Sequence, residues 1–275
     1  MMLIRLLFAV GLTITASSTC SAAENAIVLA STTSVEASGL LAHILPQFTA
    51  KTGITVNVVA QGTGKAIDTA RRGDADLLLV HDPEAEQHFM DEGQGATRRQ
   101  IAWNDFVIVG PSADPAHVRG GHDSVAALKA IAKAQAPFVS RGDKSGTNAA
   151  ELRLWKAGGF TPDSLNAEKW YRDIGVGMGQ ALNAASAMNA YTLSDRGTWL
   201  SFNNKDSLVI SIEGDSRLIN RYDVIELNPQ KHSGAKLDDA RVFADWLVSS
   251  EGQQAIGAYQ VNGEKLFNPS AASPK

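Results

Sequence analysis

The sequence predicts a two-lobed α/β protein whose sheets are mixed but mostly parallel, with helices on both faces. Three observations carry this reading. Short β-rich runs alternate with helical periodicity from Ala26 onward. A strand–loop–helix plan fills a first block and then recurs in a second. The chain has 275 residues, 44% of them hydrophobic, enough for two cores of ordinary size.

The N-terminus is an address rather than part of the fold. Arg5 precedes an apolar run from Leu6 to Ala16, and a small-residue stretch ends in Ser21-Ala22-Ala23, so residues 1–23 are expected to be a signal peptide cleaved after Ala23. The run is shorter than the roughly 20 apolar residues a membrane span needs. A lipid-anchored Cys20 is the rival, but Ser17-Ser18-Thr19 lacks the aliphatic residue such a site places three positions earlier. Cys20 is the sole cysteine, so the mature chain is expected to have no disulfide, thiol catalysis or cysteine metal site.

The formal net charge is −4 and no basic block interrupts the sequence. Nucleic acid and anionic membrane surfaces are therefore poor partners.

Along the chain, Ile27-Val28-Leu29-Ala30 reads as a strand, and Leu40, Leu41, Ile44, Leu45 and Phe48 mark one face of a helix stopped at Gly53. Residues 54–58 alternate with period two and lead through a Gly-rich loop into a short helix and the strand Leu77-Leu78-Leu79-Val80. This βαβαβ order continues through a helix over 84–92 and a strand over 106–109. Gly110-Pro111 then breaks the pattern, which places the first crossing there: residues 24–110 and 219–275 form lobe one, and 111–218 lobe two. Lobe two reads as a helix over 124–134, a strand over 138–140, a helix over 147–156, a helix near 178–188, and strands over 190–193 and 208–212. The run 222–229 returns to lobe one, which closes on a helix from Leu237 to Ser249.

The chemistry-bearing residues sit where strands end and helices begin. Ser31-Thr32-Thr33-Ser34 brings hydroxyls and free helix amides to one spot, which suits an anion, although helix capping alone explains the same residues. Gln61-Gly62-Thr63-Gly64-Lys65-Ala66 repeats the arrangement; Ala66 stands where a nucleotide P-loop needs Ser or Thr. The segment from Ser140 to Thr147 adds Arg141, a planar donor fork for an oxyanion, with Ser145, Gly146 and Thr147 at a third helix start. A plain surface turn held by Asp143 and Ser145 is the alternative there. Arg196 either faces the cleft or pairs with Asp195. His81, Asp82, Glu84, Glu86 and His88 invite a metal reading, but they spread over different faces, so helix capping by Asp82 with Pro83 at the first position is preferred. No Gly-x-Ser-x-Gly elbow or recognisable triad supports a hydrolase.

Taken together, Ser31 to Ser34, Ser140 to Thr147, Asn104 to Pro111, Tyr191 to Arg196 and Asn228-Pro229 resemble the tungstate-binding proteins of bacterial ABC importers. The resemblance spans the mature chain. It implies the periplasmic-binding-protein fold with a two-stranded hinge, no enzymatic activity, no cofactor, and no metal except as bound oxyanion. It also implies a periplasmic location, a permease and an ATPase as partners, and a monomer as the default state. By position, Thr32, Thr33, Thr63, Arg141, Ser145 and Thr147 are the expected ligand contacts, with Ser34, Gly64 and Gly146 beside them. Ser31 stands where the family often has a further threonine, which keeps a hydroxyl in the donor set.

Tungstate is the expected ligand and molybdate the next candidate. Phosphate keeps a proton near neutrality and favours a site with a carboxylate acceptor, so an inward-pointing Asp82 favours phosphate, whereas Asp82 as a helix cap favours the fully ionised oxyanions. Phosphate or sulfate binding, an exported enzyme acting on phosphate or sulfate esters with Arg141 as clamp, and a sensor for a membrane receptor remain the alternatives.

Overall fold

The computed structural model describes residues 25–270, so the expected leader with its cleavage point and Cys20 lies outside the described residues. The chain opens with β1 (Ala26–Thr32), α1 (Thr33–Ala37), α2 (Leu40–Thr52), β2 (Thr55–Gln61), α3 (Thr63–Arg71), β3 (Leu77–Val80) and α4 (Pro83–Asp91). β3 is buried at every position, as its unbroken Leu-Leu-Leu-Val run requires of a strand covered on both faces. α2 buries Leu40, Leu41, Ile44 and Phe48 and stops at Gly53, whose φ of 74° only glycine adopts without strain. β2 and β3 flank β1 in parallel, with Thr32 opposite Gln61 and Ser31 opposite Leu79. The C-terminal ends of all three strands, and the loops leaving them, therefore share one edge.

A single long strand follows, β4 (Gly95–Pro111). Beyond it come α5 (Ser124–Ala134), β5 (Phe138–Ser140), α6 (Gly146–Ala157), α7 (Pro162–Asn166), β6 (Tyr171–Asp173), α8 (Met178–Met188), β7 (Thr192–Asp195), α9 (Arg196–Ser201) and β8 (Leu208–Ile212). A 3-10 turn at Ser216–Leu218 leads into β9 (Ile219–Leu227), then α10 (Leu237–Val248), α11 (Ser250–Ala258) and the short strands β10 (Gln260–Val261), β11 (Glu264–Lys265) and β12 (Asn268–Pro269).

β4 belongs to both halves. Up to Asp105, opposite Ile219, it pairs antiparallel with β9; from Phe106, opposite Asp195, it pairs antiparallel with β7 and, further on, with β8. Four apolar clusters divide at the same place. Two draw on residues before Trp103 and after Ile219, with Phe48, Phe243 and Trp246 packed together in one of them. The other two lie wholly between Phe106 and Leu218, centred on Phe138, Trp155 and Tyr171 in one and on Val107, Leu182 and Trp199 in the other.

The chain thus passes outward between Asp105 and Phe106 and back between Leu218 and Ile219. β4 runs through the Gly110-Pro111 break at which the sequence suggests a lobe crossing, because Gly110 does not end the strand. A Cβ at Gly110 would lie 2.2 Å from the Tyr191 ring, so glycine here admits a close-packed aromatic side chain. The sheets are mixed, with parallel pairing confined to β2-β1-β3 and β5-β6, while β9, β12 and both partners of β4 in the second half run antiparallel. Antiparallel pairs therefore outweigh the parallel ones that the βαβαβ order suggests, since the returning strand lies against β3 and β4. Among the described residues no helix is long and apolar enough to cross a membrane.

Candidate functional site

The shared edge of β2, β1 and β3 faces the start of α6 across the division. On the first side, Thr32 caps α1 by accepting from the Val35 amide at 3.2 Å, and its Oγ1 lies 3.0 Å from Ser34 Oγ. Ser34 Oγ in turn lies 2.8 Å from His81 Nε2. Ser31 turns the other way: its hydroxyl donates to the Leu79 carbonyl at 2.9 Å, so it ties β1 to β3 and drops out of the expected donor set. Thr33 and Gly64 are exposed at the first turns of α1 and α3. Thr63, the first residue of α3, is 4% exposed and its hydroxyl has no partner. Gly62 caps α3 without a side chain, leaving the amides of that turn unclaimed within the helix.

His81 immediately follows β3 and is buried. Its Nδ1 lies 3.1 Å from Asn220 Oδ1, and its ring stacks on Tyr222 at 5.0 Å. The two amide protons of Asn220 go to Asn104 Oδ1 and Tyr222 Oη, at 2.9 and 2.8 Å. Burial holds the imidazole below the ordinary histidine range; the Asn220 bond and the charges of Asp195 and Asp82 oppose that, and Arg141 adds to it.

On the second side, Arg141 follows β5 and is buried, with Nη2 on Asp143 Oδ2 at 2.5 Å and Nη1 on Thr147 Oγ1 at 3.4 Å. Its Nε is buried without a partner. Ser145 caps α6 by accepting from the Asn148 amide at 3.3 Å, while its own side chain and amide hydrogen-bond Asp143. Gly142, at φ 61°, lies so close to β6 that a Cβ would meet Asp173 Oδ1 at 1.4 Å; only glycine lets the arginine loop run there. Partial burial raises Asp143, but hydrogen bonding from Ser145 and the Arg141 charge outweigh it and hold the carboxyl below the usual range.

The two sides touch. A Cβ on Gly146 would lie 2.8 Å from His81 Cε1, so the first turn of α6 rests directly on the imidazole. Asp82 caps α4 through the Ala85 amide at 3.4 Å and pairs with Arg153 of α6 at 3.1 Å, bridging the division. Neither alternative for Arg196 holds: its guanidinium forms a fork on Asp105 at 2.7 and 2.6 Å and reaches Glu213 at 2.8 Å, bracing the crossing point. Asp195 caps α9 through the Thr198 amide at 2.8 Å.

The arrangement is a donor site. Helices α1 and α6 begin against His81 and α3 begins at the neighbouring strand end, hydroxyls from both halves lie there, and Arg141 is buried beside Thr147. The carboxylates around it are committed, Asp82 to α4 and Arg153, Asp143 to Arg141, and Asp195 to α9. Sequence reading missed His81 and Asn220 as members. Their only signal was a histidine directly at the end of a buried strand, and the partner lies 139 positions away.

A family model described as a PBP superfamily domain matches residues 17–251. The chain is 43% identical to the tungstate-binding protein TupA of Peptoclostridium acidaminophilum over 254 residues, covering 91% of this chain and 87% of that protein. Among solved structures it superposes on the tungstate-binding protein of Desulfovibrio alaskensis with a TM-score of 0.82 at 43% identity, covering 90% of this chain and 99% of the other. It also superposes on the tungstate ABC transporter structure from Geobacter sulfurreducens with a TM-score of 0.76 at 40% identity, covering 86% and 99%. The chain belongs to the PBP superfamily and, within it, to the family of the tungstate-binding proteins.

Proposed function

We propose that this protein is an exported, monomeric solute-binding protein that captures tungstate, with molybdate as the next ligand, between its lobes and presents it to an ABC permease and its ATPase. One observation carries the reading: buried donors from the two halves, Thr63 Oγ1 and Arg141 Nε, lack partners at a site where several helices begin. Leaving such donors unpaired costs about 1–3 kcal/mol each, and a compact dianion supplies the acceptors. Thr32, Thr33, Ser34, Gly64, Ser145, Gly146 and Thr147 complete the shell, as hydroxyls or as helix-start amides.

Fully ionised oxyanions are favoured over phosphate because Asp82, the carboxylate best placed to accept a phosphate proton, is held by α4 and Arg153. Calorimetric titration of the ligand-stripped protein tests the reading. Tungstate should bind 1:1, sulfate and phosphate should bind far more weakly, and Arg141→Ala should cost about 10- to 100-fold, the worth of a charge-assisted hydrogen bond. No binding of any oxyanion by the wild type would sink it.

Ser34, His81 and Asn220 also stand in the serial contact of a nucleophile, base and orienting group. This favours the ester-hydrolase alternative, yet an amide in third place offers an imidazolium no countercharge. Turnover of a model phosphate or sulfate ester, lost in Ser34→Ala, is the outcome that would revive it.

A further inference from the structure

We infer that His81 couples anion capture to the uptake of one proton: it is neutral in the ligand-free site and becomes a cation when the oxyanion arrives, turning the hydroxyl of Ser34 toward the ligand. The inference rests on the reading above, in which Ser34 belongs to the oxyanion shell.

The direction of the hydrogen bonds carries the argument. Both amide protons of Asn220 are spent on Asn104 and Tyr222, so its Oδ1 accepts, and the group facing it, His81 Nδ1, bears the ring proton. Nε2 is then a lone pair, and across the 2.8 Å contact Ser34 must be the donor. Ser34 Oγ accordingly accepts from Thr32 Oγ1, 3.0 Å away. Both protons of this hydroxyl pair therefore point along the chain toward His81 and away from an anion, and the site offers the ligand lone pairs where it needs donors.

An anion could pull the Ser34 proton round while His81 stays neutral, but that strands the buried Nε2 without a partner. Protonating Nε2 removes the conflict. His81 then donates to Ser34 Oγ, Ser34 donates to the anion, and Thr32 is released to do likewise. The balance is one proton from solvent per anion bound. Charge favours the same outcome, since Arg141 is already half-spent on Asp143 and a dianion leaves negative charge to be met.

Asp82 precedes α4, and Asp195 caps α9; both favour the cation. Arg141 opposes it, as does the positive start of α6 at Gly146, while Arg153, Arg217 and Arg221 line the cavity behind the ring. Burial, the largest influence, holds the free imidazole below the ordinary histidine range, and the arriving dianion favours the cation.

The test is calorimetry of the mature protein with tungstate, run in buffers of different ionisation heat. The expected result is about one proton taken up per tungstate and an affinity that weakens about tenfold per pH unit between about pH 7 and 8.5. His81→Gln should bind with no uptake and a flat profile. Tight tungstate binding without uptake by the wild type overturns the coupling while leaving the proposed function standing. Failure of the wild type to bind tungstate overturns both. Uptake that survives His81→Gln also overturns it, the nearest other candidate being Glu151, which burial pushes up to about 7. Because the wild-type proton count stands alone, a His81→Gln protein that fails to fold does not rescue a wild type without uptake.

Discussion

At the scale of the residue, stability and binding pull against each other at Thr63. Its buried hydroxyl finds no partner within the protein, so the fold pays a desolvation cost for it. Thr63→Val keeps the shape and removes that cost. The ligand-free protein should gain about 1 kcal/mol in denaturant unfolding, while tungstate affinity falls about tenfold. A purely structural threonine would give the opposite sign of stability change and leave affinity alone. The residues legible in the sequence were those whose chemistry is local: Asp82 before Pro83 announces a cap, and Arg141 among hydroxyls announces a donor fork. Ser31 could not be told from Thr32 and Ser34 in this way. Its hydroxyl is claimed by Leu79 on a neighbouring strand, and that pairing is a property of the sheet.

At the scale of the element, α6 is both a helix start and the other jaw of the site. Gly146 lies against His81, and alanine there would favour the helix but strike the ring when the jaws meet. Gly146→Ala should leave the ligand-free melting curve within about 0.5 kcal/mol of the wild type, since on the proposed function the two halves separate without ligand. Tungstate affinity should fall about tenfold, because the overlap must then be relieved in the closed form. Most elements could be read from periodicity, and β4 shows where that fails. Only its second half, 106–109, reads as a strand. Its first half carries register shifts between Gly95 and Thr97 and between Gln100 and Ala102, and each flips the side of the sheet that the following residues face. With Arg98, Arg99 and Gln100 half-buried along it, no period-two pattern survives. β6, only three residues long, falls below what alternation can signal.

At the scale of the whole molecule, the first half holds a buried carboxyl whose titration should govern stability in alkali. Glu86 is fully buried on α4; burial first, then a hydrogen bond and the charge of Asp223, push it up to about 9. In the unfolded chain it ionises in the ordinary carboxylate range, so between there and about pH 9 the native state binds the extra proton. Stability from this group is therefore complete in acid and lost as pH rises through about 9. Glu86→Gln should flatten the alkaline limb, raising Tm relative to wild type near pH 9 by about 2–4 °C for each kcal/mol recovered, with little change near pH 5. An unchanged limb in differential scanning calorimetry would place the titration elsewhere. The two-lobed plan itself was visible in the repeated strand–loop–helix order, but the division was not, because one strand serves both halves and carries no composition change at Asp105.

The place of β9 in the first sheet has a consequence for how the chain must be assembled in time. It lies between β3 and β4, and both of these neighbours are made long before it. A polypeptide emerging N-terminus first therefore holds β3 and β4 as open edges until residue 219 appears, by which point the intervening half can already have closed around Trp155. A central strand of the first sheet thus arrives after both of its neighbours, followed only by the edge strand β12, and the half that begins the protein is the half that finishes folding. On the proposed function, in which the chain is exported before it folds, such a latecomer acts as a delay, keeping the N-terminal portion pliable until passage is nearly complete.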